Sequence, residues 1–168
     1  MAVDLTCDTE TLSSRAEEQV LTEPPKGDPG LYRAIVIAHE LAHAWFGGLI
    51  QLQPPADEWL EEAIATYISR TAREETRPGA PPWAEPVSAT LPDHAYASDA
   101  ETIRQMENLI GRRAVLTGLG RLLRQHAHGH ATKDDLVQDW SHAARRDLRQ
   151  YAVDTLNPTA KASDQKAT

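Results

Sequence analysis

Apolar side chains at Leu31, Ile35, Val36, Ile37, Leu41, Trp45 and Phe46 surround a stretch, 32–46, that holds neither Pro nor Gly. At 3.6 residues per turn they cover most of a helical barrel, and a helix apolar nearly all round is expected inside a core. Gly47-Gly48 offers a C-terminal stop, and Pro54-Pro55 forbids continuation of the helix. A second stripe, Trp59, Leu60, Ala63, Ile64, Tyr67 and Ile68, predicts a helix capped by Asp57 and running to about Glu75. Tyr67 lies on that stripe and should pack, while Glu58, Glu61, Arg70, Arg73 and Glu74 should form a solvated face. The segment 77–92 carries five prolines and reads as a loop. Three more helices follow over about 98–110, 112–125 and 133–146. The last is opened by a capping box between Thr132 and Asp135. Arg112, Arg113, Arg121 and Arg124 should mostly face solvent. The pattern is that of a mainly α domain over 1–156, followed by a flexible polar tail over 157–168.

Composition narrows the partners. At 168 residues the chain suits one domain with a genuine core. A net charge of -8 argues against nucleic acid or an anionic membrane as the partner. The first apolar stretch is not a membrane span, because His39, Glu40 and His43 interrupt it. The single cysteine, Cys7, excludes internal disulfides and has no supporting histidine nearby in sequence, which fits a reducing compartment. Met1-Ala2-Val3-Asp4 lacks the basic and apolar regions of a signal peptide, so a cytoplasmic location is expected.

The candidate chemistry lies inside the first helix. His39-Glu40-Leu41-Ala42-His43 is an H-E-x-x-H pattern. On a helix the two histidines stand one turn apart on one face, where both imidazoles can grip one zinc ion with Glu40 beside it. Burying two imidazoles and a carboxylate unsatisfied would cost several kcal/mol, so something must satisfy them. The alternative is a pair of core histidines bonded to backbone carbonyls. Eighteen residues separate His43 from Glu62, which borders the second stripe between Trp59 and Thr66, each about one turn away. Glu62 can complete the three protein ligands that a catalytic zinc usually keeps. His126, His128 and His130 alternate around Gly129 with no acidic or cysteine partner at ligand spacing, and read as an ordinary helix-to-helix loop.

His39 to His43, the following Trp45-Phe46-Gly47 and the Trp59-Leu60-Glu61-Glu62-Ala63-Ile64-Ala65 segment together resemble the M1 aminopeptidases, zinc enzymes of the gluzincin group. Their signature is H-E-x-x-H, then eighteen residues, then the glutamate of W-L-N-E-G-F-A; here Glu61, Ala63 and Ile64 replace Asn, Gly and Phe. The resemblance covers about 12–156. It implies thermolysin-like catalytic-domain helices, with a short β remnant at the N-terminus. It implies one zinc per chain on His39, His43 and Glu62, Glu40 as general base, and a peptide substrate. Tyr96, in Tyr96-Ala97-Ser98-Asp99-Ala100, falls at the position of the family's oxyanion-stabilising tyrosine, without the Lys and Gly of that motif. The family's amine-binding G-x-M-E-N segment is absent from the region of Asp4-Leu5-Thr6-Cys7-Asp8. Weak discrimination between free and acetylated peptide N-termini follows. The expected function is a zinc metallopeptidase of aminopeptidase type. The alternatives are an inactive zinc-binding remnant and an interaction module with structural zinc.

Overall fold

The computed structural model describes residues 29–54, 56–76 and 93–156. Among them are six helices: α1 Pro29–His43, α2 Trp59–Thr76, α3 Asp93–Ile110, α4 Arg112–His126, α5 Lys133–Ala144 and α6 Arg149–Thr155. Two short strands, β1 Gln51–Leu52 and β2 His130–Ala131, complete the described elements. The helices pack in succession, α1 on α2, α2 on α3 and α4 on α5, with α3 leaning on α4 and α6 on α5. The mainly α expectation holds.

One continuous core runs through this stack. Phe46, Ile50 and Leu52, from the connection between α1 and α2, meet Leu60, Ile64 and Tyr67 of α2. The same cluster extends to Ile103 and Met106 of α3, Leu122 of α4 and Trp140 of α5. Gly118 sits where the Trp140 indole crosses α4: a Cβ there would lie 2.3 Å from Trp140 Cδ1. The close approach also lets the indole N–H donate to the Val115 carbonyl at 3.2 Å.

β1 and β2 pair in parallel, Gln51 opposite His130 and Leu52 opposite Ala131. Gln51 and Gln53 donate to the carbonyls of Gly129 and Ala131, both at 3.0 Å. The β contribution thus joins the α1–α2 and α4–α5 connections; the N-terminal region where a β remnant was expected lies outside the described residues. His130 belongs to this pairing, so the histidine-rich segment is more than a plain loop.

Several expectations change at the level of single elements. α1 starts and stops three residues earlier than the predicted 32–46, and its surface is divided. Ile35, Val36 and Ala42 are buried, whereas Ile37, Leu41 and Trp45 are about half exposed. Of the described helices, α2 is the one that packs closely on α1, so among the described residues one face is covered. The predicted solvated face of α2 is mostly not solvated. Arg70 is buried, Glu61 is half-buried, and Glu74 takes hydrogen bonds from Arg104 and Arg112, leaving Glu58 exposed as expected.

Asp57 does not cap its own helix with its carboxylate. It reaches across to α5, accepting from the Lys133 N–H at 2.9 Å. There it joins the predicted capping box, in which Asp135 N–H donates to Thr132 Oγ1 at 3.1 Å and Thr132 N–H to Asp135 Oδ2 at 2.8 Å. Carboxylates at a helix N-terminus satisfy orphan donors and favour the helix dipole. α6 was not predicted: its seven residues are too few for a periodic signal.

Candidate metal centre

α1 and α2 are packed so that the last turn of one faces the first turn of the other. This places His39 and His43 opposite Glu62, all three half-buried. His43 Nε2 lies 3.1 Å from His39 Nε2. Glu62 Oε2 is 3.3 Å from His39 Nε2, and Glu62 Oε1 is 3.3 Å from His43 Nε2. The three residues predicted as metal ligands are therefore brought together.

The outer nitrogens of the two rings are also engaged. His43 Nδ1 stands 3.2 Å from the Phe46 carbonyl, and His39 Nδ1 stands 3.5 Å from Thr66 Oγ1. A carbonyl can only accept, so His43 Nδ1 carries the proton of that bond, and in the neutral ring Nε2 keeps its lone pair. Glu62 adds carboxylate oxygens to the same small space. Two imidazole nitrogens and a carboxylate form a donor set suited to zinc. Bonds of about 2.0–2.1 Å in a tetrahedral arrangement would put neighbouring donors about 3.3 Å apart. The observed 3.1–3.3 Å separations fit that group. Three such residues converge here among the described residues, the number that a catalytic zinc keeps; a closed structural site would use four.

Charge is tuned accordingly. Burial opposes protonation of His43, but the hydrogen bond and charge of Glu62, with the Phe46 carbonyl and Glu40, outweigh it and raise its pKa above the ordinary 6.5. Hydrogen bonds from His39 and His43 hold the Glu62 carboxyl far below the usual carboxylate range against its own desolvation. In the metal-free protein, positive charge belongs in this cluster.

Glu40, the residue after His39, is half-buried in α1, and its charge acts on the neighbouring His43 ring. Tyr96 belongs to α3, and its side chain lies outside the described residues, as do Asp4, Cys7, Asp8 and Glu10. Tyr67, the other tyrosine near Glu62 in sequence, packs as expected with no exposed surface. Its hydroxyl donates to Glu107 Oε2 at 2.6 Å, and burial beside that carboxylate pushes its pKa upward. Arg112 binds Glu107 and Glu74, so this arginine, expected to face solvent, instead joins α4 to α2 and α3.

Sequence reasoning missed the partners behind the donors. Thr66 has a readable signal, since it follows Glu62 by one helical turn. The Phe46 carbonyl has none, because any residue type could supply it.

Comparison with known proteins agrees with this geometry. The model for the peptidase family M1 domain matches residues 16–93, a span holding His39, Glu40, His43 and Glu62 but ending before Tyr96. Aminopeptidase N of Streptomyces lividans is 27% identical over 152 residues, covering 71% of this chain and 18% of that protein. Leucyl aminopeptidase of Saccharolobus solfataricus is 27% identical over 152 residues, 73% of this chain and 19% of its own length. The thyrotropin-releasing hormone-degrading ectoenzyme of Homo sapiens is 28% identical over 167 residues, 80% of this chain and 16% of its own length. The chain thus spans less than a fifth of these relatives. The matched span, the similar relatives and the converged His-His-Glu group point the same way: residues 16–93 are similar to the peptidase family M1 domain.

Proposed function

We propose that this chain is the metal-binding core of a zinc peptidase that hydrolyses peptide bonds and is aminopeptidase-like in character. The observation that carries the proposal is the mutual 3.1–3.3 Å approach of His39 Nε2, His43 Nε2 and the Glu62 carboxylate. These residues would hold one zinc ion per chain. Zinc, when bound, polarises a carbonyl and makes water more acidic. Glu40 takes a proton from the attacking water and returns it to the leaving amine, as a general base and then a general acid. His43 Nδ1–H, tied to the Phe46 carbonyl, keeps its ring from rotating while the opposite nitrogen faces the ligand. Tyr96 is the residue we assign to the developing oxyanion, on the strength of its place after the M1-like motifs.

A peptide substrate follows from the family. No described helix is long and apolar enough to cross a membrane. Against a structural zinc role stands the count of three grouped donors, among the described residues, where a closed site would need four. Against an inactive remnant stands Glu40, a carboxylate with no ligand duty next to the first metal-binding histidine. The test is Glu40→Gln. This variant should keep its zinc and lose at least about a hundredfold in peptide hydrolysis, as expected for removal of a general base. Equal hydrolysis by wild type and variant would remove Glu40 from the mechanism. Hydrolysis by neither, with zinc fully bound, would favour the remnant.

A further inference from the structure

Glu61 is adjacent in sequence to a metal ligand, stands where the M1-like motif has Asn, and was expected to face solvent. Its surroundings point to another role. Oε1 accepts from the Leu52 N–H at 2.7 Å, while Oε2 is the nearest atom to the space beside Gly47, 3.2 Å from where a Cβ would stand. Gly47 has φ 108°, a left-handed conformation that also favours glycine.

The Leu52 N–H needs this acceptor for a topological reason. In the parallel β1–β2 pair, Gln51 and Gln53 direct their N–H groups to β2, so the intervening Leu52 directs its own to the opposite edge. Leu52 is buried, and an unpaired backbone donor at that depth would cost about 1–3 kcal/mol. Glu61 takes the place of a third strand.

That bond closes a circuit leading back to the metal centre. The chain between α1 and β1 is a compact turn in which Gly47 N–H donates to the Ile50 carbonyl at 2.8 Å. Ile50 N–H in turn donates to the Trp45 carbonyl at 3.0 Å. Phe46 lies inside this turn, bridges to Ile50, and offers its carbonyl to His43 Nδ1 at 3.2 Å. Glu61 therefore fixes the far end of the segment that presents this carbonyl, and its carboxylate also borders the Gly47 turn. Between Leu52 and the Phe46 carbonyl the circuit runs through backbone alone, so nothing in the H-E-x-x-H pattern reveals it.

We propose that Glu61 is a positioning residue for His43, acting through Leu52 and the 44–52 turn to hold the Phe46 carbonyl against Nδ1 and direct Nε2 toward His39 and Glu62. The inference rests on the proposed metal role of His43, but its geometric half can be tested without metal. Glu61→Gln keeps an acceptor oxygen at the same reach; Glu61→Ala does not. The full chain is examined in both variants by long-range ¹H–¹⁵N spectroscopy of the histidine rings at pH 8 without metal, then by zinc affinity in competition with a chelator.

Wild type and Glu61→Gln should show His43 protonated at Nδ1, with zinc dissociation constants within about threefold of each other. Glu61→Ala should show mixed tautomers and about a tenfold to hundredfold weaker zinc binding, the range typical for losing an outer partner of a metal ligand. A purely structural role would lower the melting temperature of Glu61→Ala while leaving the His43 signals and zinc affinity unchanged, and that result would overturn the proposal. Should Glu61→Ala fail to fold, the wild-type spectrum still decides: a ring protonated at Nε2 refutes the circuit. Failure of wild type to bind zinc, with the His43 tautomer as stated, would refute the metal reading and leave the positioning of His43 standing.

Discussion

His43 shows how much one side chain is asked to do in this fold. Its Nδ1 proton belongs to the Phe46 carbonyl, and its Nε2 faces both His39 and Glu62. Without metal, protonation lets the ring pair with Glu62, which is why its pKa rises above 6.5 while that of Glu62 falls below 4.5. The two shifts have opposite pH signatures. Stability from His43 is fully present below its unfolded value of 6.5 and is lost as pH rises through the higher folded value. Stability from Glu62 is present above 4.5 and is lost as pH falls toward its depressed folded value. Both contributions coexist between 4.5 and 6.5, where the metal-free protein should melt highest. Zinc requires the unprotonated ring, so its addition should raise the melting temperature more at pH 8 than at pH 5.5. Calorimetry at the two pH values checks this; an equal increment at both would show that zinc does not compete with the His43 proton. The grouping of His39, His43 and Glu62 was legible from spacing, because one helical turn and a glutamate eighteen residues on leave few other readings. Glu61 was not, because its neighbour Leu52 is recruited by strand pairing to residues almost eighty positions away.

At the scale of elements, the hydrophobic pattern located helices better than it located their environments. The stripe of α2 and the capping box of α5 were readable because each is a local pattern. The side on which α1 is covered was not readable, since Ile37, Leu41 and Trp45 look as core-like in sequence as Ile35 and Val36. Arg112 and Arg121 looked like solvated surface, yet Arg112 ties Glu74 to Glu107 and Arg121 pairs with the buried Asp139 at 3.0 Å. Their partners lie on other helices, beyond the reach of a periodicity argument. Gly118 is a further case: a glycine inside a helix reads as a weak point costing about 1 kcal/mol relative to alanine. Packing reverses that reading. Gly118→Ala gains helix propensity but drives a methyl into the Trp140 indole, where the nearest atom is 2.3 Å away. It should destabilise the fold by about 1–3 kcal/mol, the usual cost of overpacking. Denaturant unfolding monitors this, and a variant more stable than wild type would show that the α4–α5 contact is looser than described.

At the scale of the molecule, the mainly α architecture and the convergence of His39, His43 and Glu62 were legible in the sequence together, because the motif places two helices side by side. The parallel strand pair was not, each strand being two residues long. The chain spans less than a fifth of the length of the relatives it matches. The Asp4-Leu5-Thr6-Cys7-Asp8 region lacks the amine-binding G-x-M-E-N segment of the M1 aminopeptidases that the chain resembles. A peptide with a free N-terminus and its acetylated twin should therefore be hydrolysed within about tenfold of each other, roughly 1.4 kcal/mol of discrimination. A much larger preference for the free amine, read from kcat/KM, would reveal an acidic anchor, with Asp4, Asp8 and Glu10 the first to substitute. Above all stands the claim that His39, His43 and Glu62 jointly hold one zinc ion. Elemental analysis of the purified protein and two variants tests it most directly. One zinc per chain is expected in wild type and in Glu40→Gln, and little or none in folded Glu62→Ala. Full zinc occupancy in Glu62→Ala would contradict it.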